Sequence, residues 1–216
     1  MPELDFCIEG VEVDRFAITP QLLFDLHVSN ATPDIRIQSM TLQCQIRIDA
    51  TRRKYDPRDQ ENLTELFGSA ERYGETLTSL LWTHISIVIP PFDKESYIEL
   101  PVPCSYDFNI ATTKYFYGLH SGEVPLSFLF SGAVFYSEGE APMQIAQISW
   151  DREANYGLPI GLWHSLMEHY YPDSAWLRIK HDQFEQLYRY KRSSGFPSWE
   201  QTFETLLADQ KKGVLS

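Results

Sequence analysis

Ile35-Arg36-Ile37-Gln38-Ser39-Met40-Thr41-Leu42-Gln43-Cys44-Gln45-Ile46-Arg47-Ile48 sets apolar residues two apart along almost its whole length. Side chains of a strand alternate between two faces, so this run predicts a long strand with one face buried and one in water. The alternation slips once, between Ile37 and Met40, where a bulge would restore it. The same period extends outward in both directions. Phe6, Ile8, Val11 and Val13 alternate with polar residues around a bulge at Gly10, and Leu22, Phe24, Leu26 and Val28 alternate with Asp25, His27 and Ser29. Further strands are expected over 77–89, 97–102, 110–119, 124–136 and 143–150. They are separated by turn-forming pairs such as Pro90-Pro91, Ser121-Gly122 and Glu138-Gly139. Many short strands with few helices between them argue for antiparallel pairing. The expected fold is α+β, mainly β: an antiparallel β-sandwich or curled barrel.

Two departures from the strand pattern stand out. Asp56 followed by Pro57 has the form of an N-cap and a first helical residue, and Leu63, Leu66, Phe67 and Ala70 follow at helical spacing. One inserted helix is therefore expected at about 57–73, inside a body spanning 1–150. After Trp150 the pattern changes for good. Ile160, Trp163, Met167 and Tyr170 recur at helical spacing, as do Phe184, Leu187 and Tyr188, and Ser198 with Gln201 has the form of a capping box before Phe203, Leu206 and Leu207. Residues 151–216 are expected as a C-terminal cluster of short helices packed on the body.

The 216 residues carry 30 Asp and Glu against 18 Lys and Arg, a formal net charge of −12. Such a surface repels phosphate backbones and anionic headgroups, which excludes nucleic acid as the expected partner. No apolar run approaches the ~18 residues of a membrane helix, so no membrane insertion is expected. The opening residues lack the basic and apolar regions of a secretory signal, which predicts a cytoplasmic protein. Cys7, Cys44 and Cys104 lack CxxC spacing and are expected as buried structural thiols.

Neither a GxSxG elbow nor a GxxxxGK[ST] loop is present, so catalysis is not the expected role and no cofactor is implied. His164 and Glu168 share a helix face, with His169 turned about 100° away. These three are the candidate metal ligands, and a competent site needs at least three convergent protein ligands, for which His181 or Asp173 would have to be brought near. Asp151 and Glu153 form a possible carboxylate pair in a chain rich in carboxylates, and Arg52-Arg53-Lys54 reads as a solvated loop. The candidate partner-binding tract is Trp176, Arg178, Tyr188, Arg189, Tyr190, Lys191 and Arg192, where bases and aromatic rings interleave inside an acidic chain.

The stretches Ser121-Gly122-Glu123-Val124-Pro125-Leu126-Ser127-Phe128-Leu129-Phe130-Ser131-Gly132, Ile148-Ser149-Trp150-Asp151, Leu158-Pro159 and His169-Tyr170-Tyr171-Pro172-Asp173-Ser174-Ala175-Trp176-Leu177 resemble an uncharacterised bacterial family over nearly the whole chain. Its members are often encoded beside nickel-iron hydrogenase genes. The resemblance implies, by association alone, an accessory protein in the assembly or maturation of a hydrogenase or another redox enzyme. The expected function is accordingly non-enzymatic protein binding. A metal-dependent enzyme or metal carrier built on His164, Glu168 and His169, and a lipid or small-ligand carrier using the sandwich interior, are the alternatives. A homo-oligomer through an edge strand such as Phe6–Val13 is left open.

Overall fold

The computed structural model describes the backbone of residues 1–213 and the side chains of residues 1–210. The strands are β1 (Leu4–Val13), β2 (Gln21–Asn30), β3 (Ile35–Ile48), β4 (Leu80–Ile89), β5 (Glu95–Pro103), β6 (Glu123–Glu138), β7 (Gln144–Gln147) and β8 (Glu153–Pro159). Two antiparallel sheets result, one ordered β1-β2-β5 and one ordered β4-β3-β6-β7, with β8 pairing the first half of β6. They form an open sandwich, not a barrel. Leu22, Phe24, Leu26 and Val28 of β2 and Leu42, Cys44, Ile46 and Ile48 of β3 are buried, as their alternation requires. Phe24 meets Phe128 edge-on at 5.2 Å, and Phe6 stacks on Phe130 at 4.6 Å. Each such ring withdrawn from water stabilises the fold by about 1.5–3 kcal/mol.

Both anticipated bulges are present, as register shifts between Ile8 and Gly10 and between Ile37 and Ser39. Other details differ from expectation. Residues 110–119 form not a strand but helix α4 (Ala111–Gly118), once the inserted helices α1 (Pro57–Asn62), α2 (Thr64–Phe67) and α3 (Tyr73–Thr76) are numbered. Its β-branched and aromatic residues favour strand locally. Burying Thr112, Tyr115, Phe116 and Leu119 together requires helical spacing, and Phe116 packs on Trp163 at 5.4 Å and on Trp82 at 4.9 Å. The single helix expected over 57–73 is broken at Leu63 and again at Gly68, whose φ of +73° no ordinary helix continues.

The body also extends further than 150. β8 completes a sheet, and the next helix, α5 (Ile160–Tyr170), buries Ile160, Trp163, Leu166 and Met167 in the same core. The chain accordingly divides into Met1–Trp176 and Leu177–Ser216. The second unit holds α6 (His181–Ser193) and α7 (Trp199–Gly213).

Cys44 and Cys104 are buried, and burial pushes both thiols up to about 12. Cys7 departs from the expectation and is exposed. It pairs with His27 in the β1-β2 ladder, and residues directly opposite share a face, here the outer one.

Candidate functional site

Three segments far apart in sequence meet where the chain leaves β3, enters α1 and begins β6. Asp56 caps α1 by accepting the backbone N–H groups of Arg58 and Asp59, each at 2.9 Å. That cap fixes the first turn and aims Asp59 inward, where its side chain is only 2% exposed. A carboxylate so buried needs a counter-charge and hydrogen bonds. Arg53 Nη2 supplies the charge at 3.0 Å. His120 supplies two donors to the other oxygen, its backbone N–H at 3.2 Å and its ring Nδ1 at 2.7 Å.

The same groups fasten the turn before β6. Arg53 donates to the backbone carbonyls of Ser121 and Glu123, both at 2.5 Å. His120 Nε2 lies 3.2 Å from Asp56 Oδ2. Asp56 is held below the usual carboxylate range, first by the Asp59 N–H and then by the charge of His120. Arg53 is thus no solvated loop residue, its side chain being 9% exposed. An open cleft beside it is lined by Arg52, Lys54, Tyr55, Ser121 and Pro125.

Asp56, Asp59 and His120 are the one group among the described residues whose donor atoms come close enough, within 4.8 Å, to hold a metal ion. Both oxygens of Asp59 are already engaged, one by a guanidinium, and a divalent cation there would have to expel it. Both ring nitrogens of His120 face carboxylates, which leaves neither to activate a nucleophile. Ser127, further along β6, donates directly to Asp49 with no imidazole between them. The arrangement ties α1 and the β6 turn to the body.

The expected metal ligands lie elsewhere. His164 Nε2 donates to the Leu119 carbonyl at 2.8 Å, joining α5 to the end of α4, while Glu168 and His169 are exposed. Their donor atoms do not form a close group of the kind found at Asp56, Asp59 and His120.

The expected partner-binding tract is divided between the two units. Trp176 belongs to the body, bridged to Asp107 and 5.1 Å from the Tyr171 ring, with 57% of its surface exposed. The remainder lies in the second unit. There Lys191 Nζ donates to the carbonyls of Phe196 and Pro197 at 2.9 and 3.0 Å, and Tyr190 packs on Phe196 at 5.9 Å. These two hold the turn between α6 and α7. Ser198 caps α7 through the Gln201 N–H at 3.2 Å, as its spacing foretold. Phe184 stacks on Tyr188, and both rings lie near Trp199, which stacks on Phe203. Yet α6 contains no buried residue. Tyr188, Arg189 and Arg192 line an open groove with Glu185 and Ser193, the Arg192 guanidinium lying 5.8 Å from the Tyr188 ring. Arg178 is exposed.

Charge is segregated in the same way. Residues 177–216 carry seven Lys and Arg against five Asp and Glu, and residues 1–176 carry eleven against twenty-five. No helix among the described residues is long and apolar enough to cross a membrane.

Among solved structures, the chain is similar to the CARDB domain of the PF1109 protein from Pyrococcus furiosus, solved in complex with di-metal ions. The identity is 9%, the TM-score 0.29, and the match covers 73% of this chain and 92% of that one. A β-glucosidase from Kluyveromyces marxianus matches at 8% identity and TM-score 0.25 over 72% of this chain and 15% of its own. β-Glucosidase 3B from Thermotoga neapolitana matches at 10% identity and TM-score 0.25 over 72% of this chain and 17% of its own. No curated protein sequence matches. The pattern of one family extends over residues 1–214, and the chain belongs to that family, DUF6084, a family of unknown function.

Proposed function

We propose that the protein is a non-catalytic accessory protein that works by binding another protein through the 177–216 unit. The observation that carries this reading is helix α6, which has aromatic residues along its length and buries none of them, in a unit whose charge is opposite to that of the body. Phe184, Tyr188, Phe203 and Leu207 are each at least 40% exposed. Aromatic rings beside arginines are the residue types that dominate binding energy at protein interfaces. An acidic protein surface fits the exposed guanidinium groups of Arg189 and Arg192. A hydrogenase or other redox enzyme under assembly, which the gene-neighbourhood resemblance implies, is the partner to try first.

The test is capture of partners on the immobilised full chain from extracts of the native host, followed by reconstitution with the purified partner. Arg189→Glu with Arg192→Glu should weaken the reconstituted complex by roughly a hundredfold, since rejected charge pairs cost several kcal/mol. Lys191 is left intact because it holds the α6-α7 turn. An affinity unmoved by the double reversal would remove the 177–216 unit from the interface.

A further inference from the structure

The sheet edges of the body are not equally protected. An edge strand offers a row of unpaired N–H and C=O groups to any other chain, and charges, prolines or short length normally blunt it. β1 carries Asp5, Glu9 and Glu12, and β5 carries Glu95, Glu99, Pro101 and Pro103. β7 is four residues long, and β8 carries Glu153 and Pro159. β4, reading Leu80-Leu81-Trp82-Thr83-His84-Ile85-Ser86-Ile87-Val88-Ile89, has no Asp, Glu, Lys, Arg or Pro in ten positions. It lies, among the described residues, at the end of its sheet and pairs only with β3. Among the described residues no backbone hydrogen bond joins it to any other segment. Leu81 and Val88 are 50% and 69% exposed.

We infer that β4 is a dimerisation edge, at which two copies of this chain pair antiparallel about a twofold axis through Ser86. The two faces of the strand require the axis to pass through a residue, and Ser86 is the midpoint of the regular run 83–89 beyond the register shift at Ile46/Arg47. His84, Ser86 and Val88 lie opposite Gln45, Gln43 and Thr41 on the outer face, and Ile85, Ile87 and Ile89 lie opposite Cys44, Leu42 and Met40 on the inner one. An axis between two residues would set inner side chains against outer ones. The axis at Ser86 sets Ser86 beside its own copy, His84 beside Val88, and Ile85 beside Ile87. The isoleucines then extend the inner apolar layer of both sandwiches. No pair in this register opposes like charges, whereas β1 paired with itself would oppose carboxylates. Twofold pairing needs nothing beyond the strand's own sequence, and cyclic dimers are the commonest closed assembly. The contact is also the uncharged part of a strongly anionic body, so salt that screens the repulsion between copies strengthens it.

Sedimentation velocity on the full chain, from low micromolar to high micromolar concentration, reads the equilibrium. The wild type is expected to dimerise with concentration, and more tightly at higher ionic strength. Ser86→Lys should raise the dissociation constant by at least about tenfold through like-charge opposition at the axis. Its circular dichroism and melting temperature should match the wild type, because position 86 is exposed. In a Cys7→Ser background, Ser86→Cys should yield a covalent dimer on oxidation, since directly opposed strand residues lie about 4.5–5.5 Å apart at Cα, within disulfide reach. A wild type that stays monomeric overturns the inference. So does a dimer that Ser86→Lys leaves unchanged, a dimer that Ser86→Cys does not cross-link, or an edge occupied only by a segment of another protein.

Discussion

Asp59 shows how much one buried carboxylate can organise. Its side chain is 2% exposed, yet it holds a guanidinium, a ring nitrogen and a backbone N–H drawn from two other segments. Removing its charge leaves the Arg53 guanidinium, itself 9% exposed and with Nε unpartnered, facing a neutral group. Asp59→Asn is therefore expected to cost about 3–5 kcal/mol, the loss seen when one member of a buried pair is removed. Urea denaturation should show it as a lower midpoint at unchanged slope. Asp56 is the contrast, because asparagine caps helices about as well as aspartate. Its folded pKa is depressed, so its carboxylate contributes at neutral pH and stops contributing as pH falls through that lowered value. Asp56→Asn should cost clearly less than Asp59→Asn at neutral pH. Equal losses would mean that the cluster is held by the cap and not by the buried pair. Of this, only the Asp56 cap was legible locally. Asp59 lies in Pro57-Arg58-Asp59-Gln60-Glu61-Asn62, which has the composition of a solvated helix, and its histidine partner is 61 residues away.

Elements were legible in proportion to how much of their burial is local. The strands declared themselves because every second residue faces the core, and β3 even announced its bulge. α4 did not, since Thr112, Thr113, Tyr115 and Phe116 prefer strand taken singly and only the packing of Trp82 and Trp163 shows which face is buried. β8 was hidden because Tyr156-Gly157 interrupts its apolar run, and pairing with β6 supplies what the pattern lacks. Gly132 lies between these extremes. A glycine inside β6 signals a close approach, and the structure shows φ of +136° with the Thr41 carbonyl occupying the space of a Cβ. Gly132→Ala is expected to destabilise the protein by about 2 kcal/mol or more, combining backbone strain with displacement of β3. Gly74→Ala, in α3 with open space around it, should be neutral or stabilising by up to about 1 kcal/mol. Calorimetric melting of the two variants checks the pair. A Gly132→Ala protein that melts with the wild type would mean that β3 yields at Thr41 without cost.

At the scale of the whole chain, the division at Trp176 matters for both parts. The body is anionic and closes a two-sheet core, and the 177–216 unit is cationic, its Phe184, Tyr188 and Phe203 rings in contact with Trp199 yet each at least 40% exposed. The run from Pro172 to Lys180 is exposed at every residue and includes two tryptic sites, Arg178 and Lys180. Limited trypsin digestion should cut there first, because exposed backbone outside regular structure opens at least cost. The body has a competing site at Arg15, in the exposed turn between β1 and β2 that carries Phe16 and Ile18. That turn is fastened. Asp14 accepts the N–H groups of Phe16 and Ala17, and the single Tyr170 O–H is shared between the Asp14 and Ala17 carbonyls at 2.9 and 2.7 Å. The first stable product should therefore retain Met1 and end at Arg178 or Lys180, as intact-mass measurement would show. Tyr170→Phe removes that shared hydrogen bond and should bring cleavage at Arg15 forward while leaving the cut at Arg178 or Lys180 unchanged. If Arg15 is cut first in the wild type, the turn is not held by Tyr170, and the boundary at Trp176 is not the weakest point of the chain.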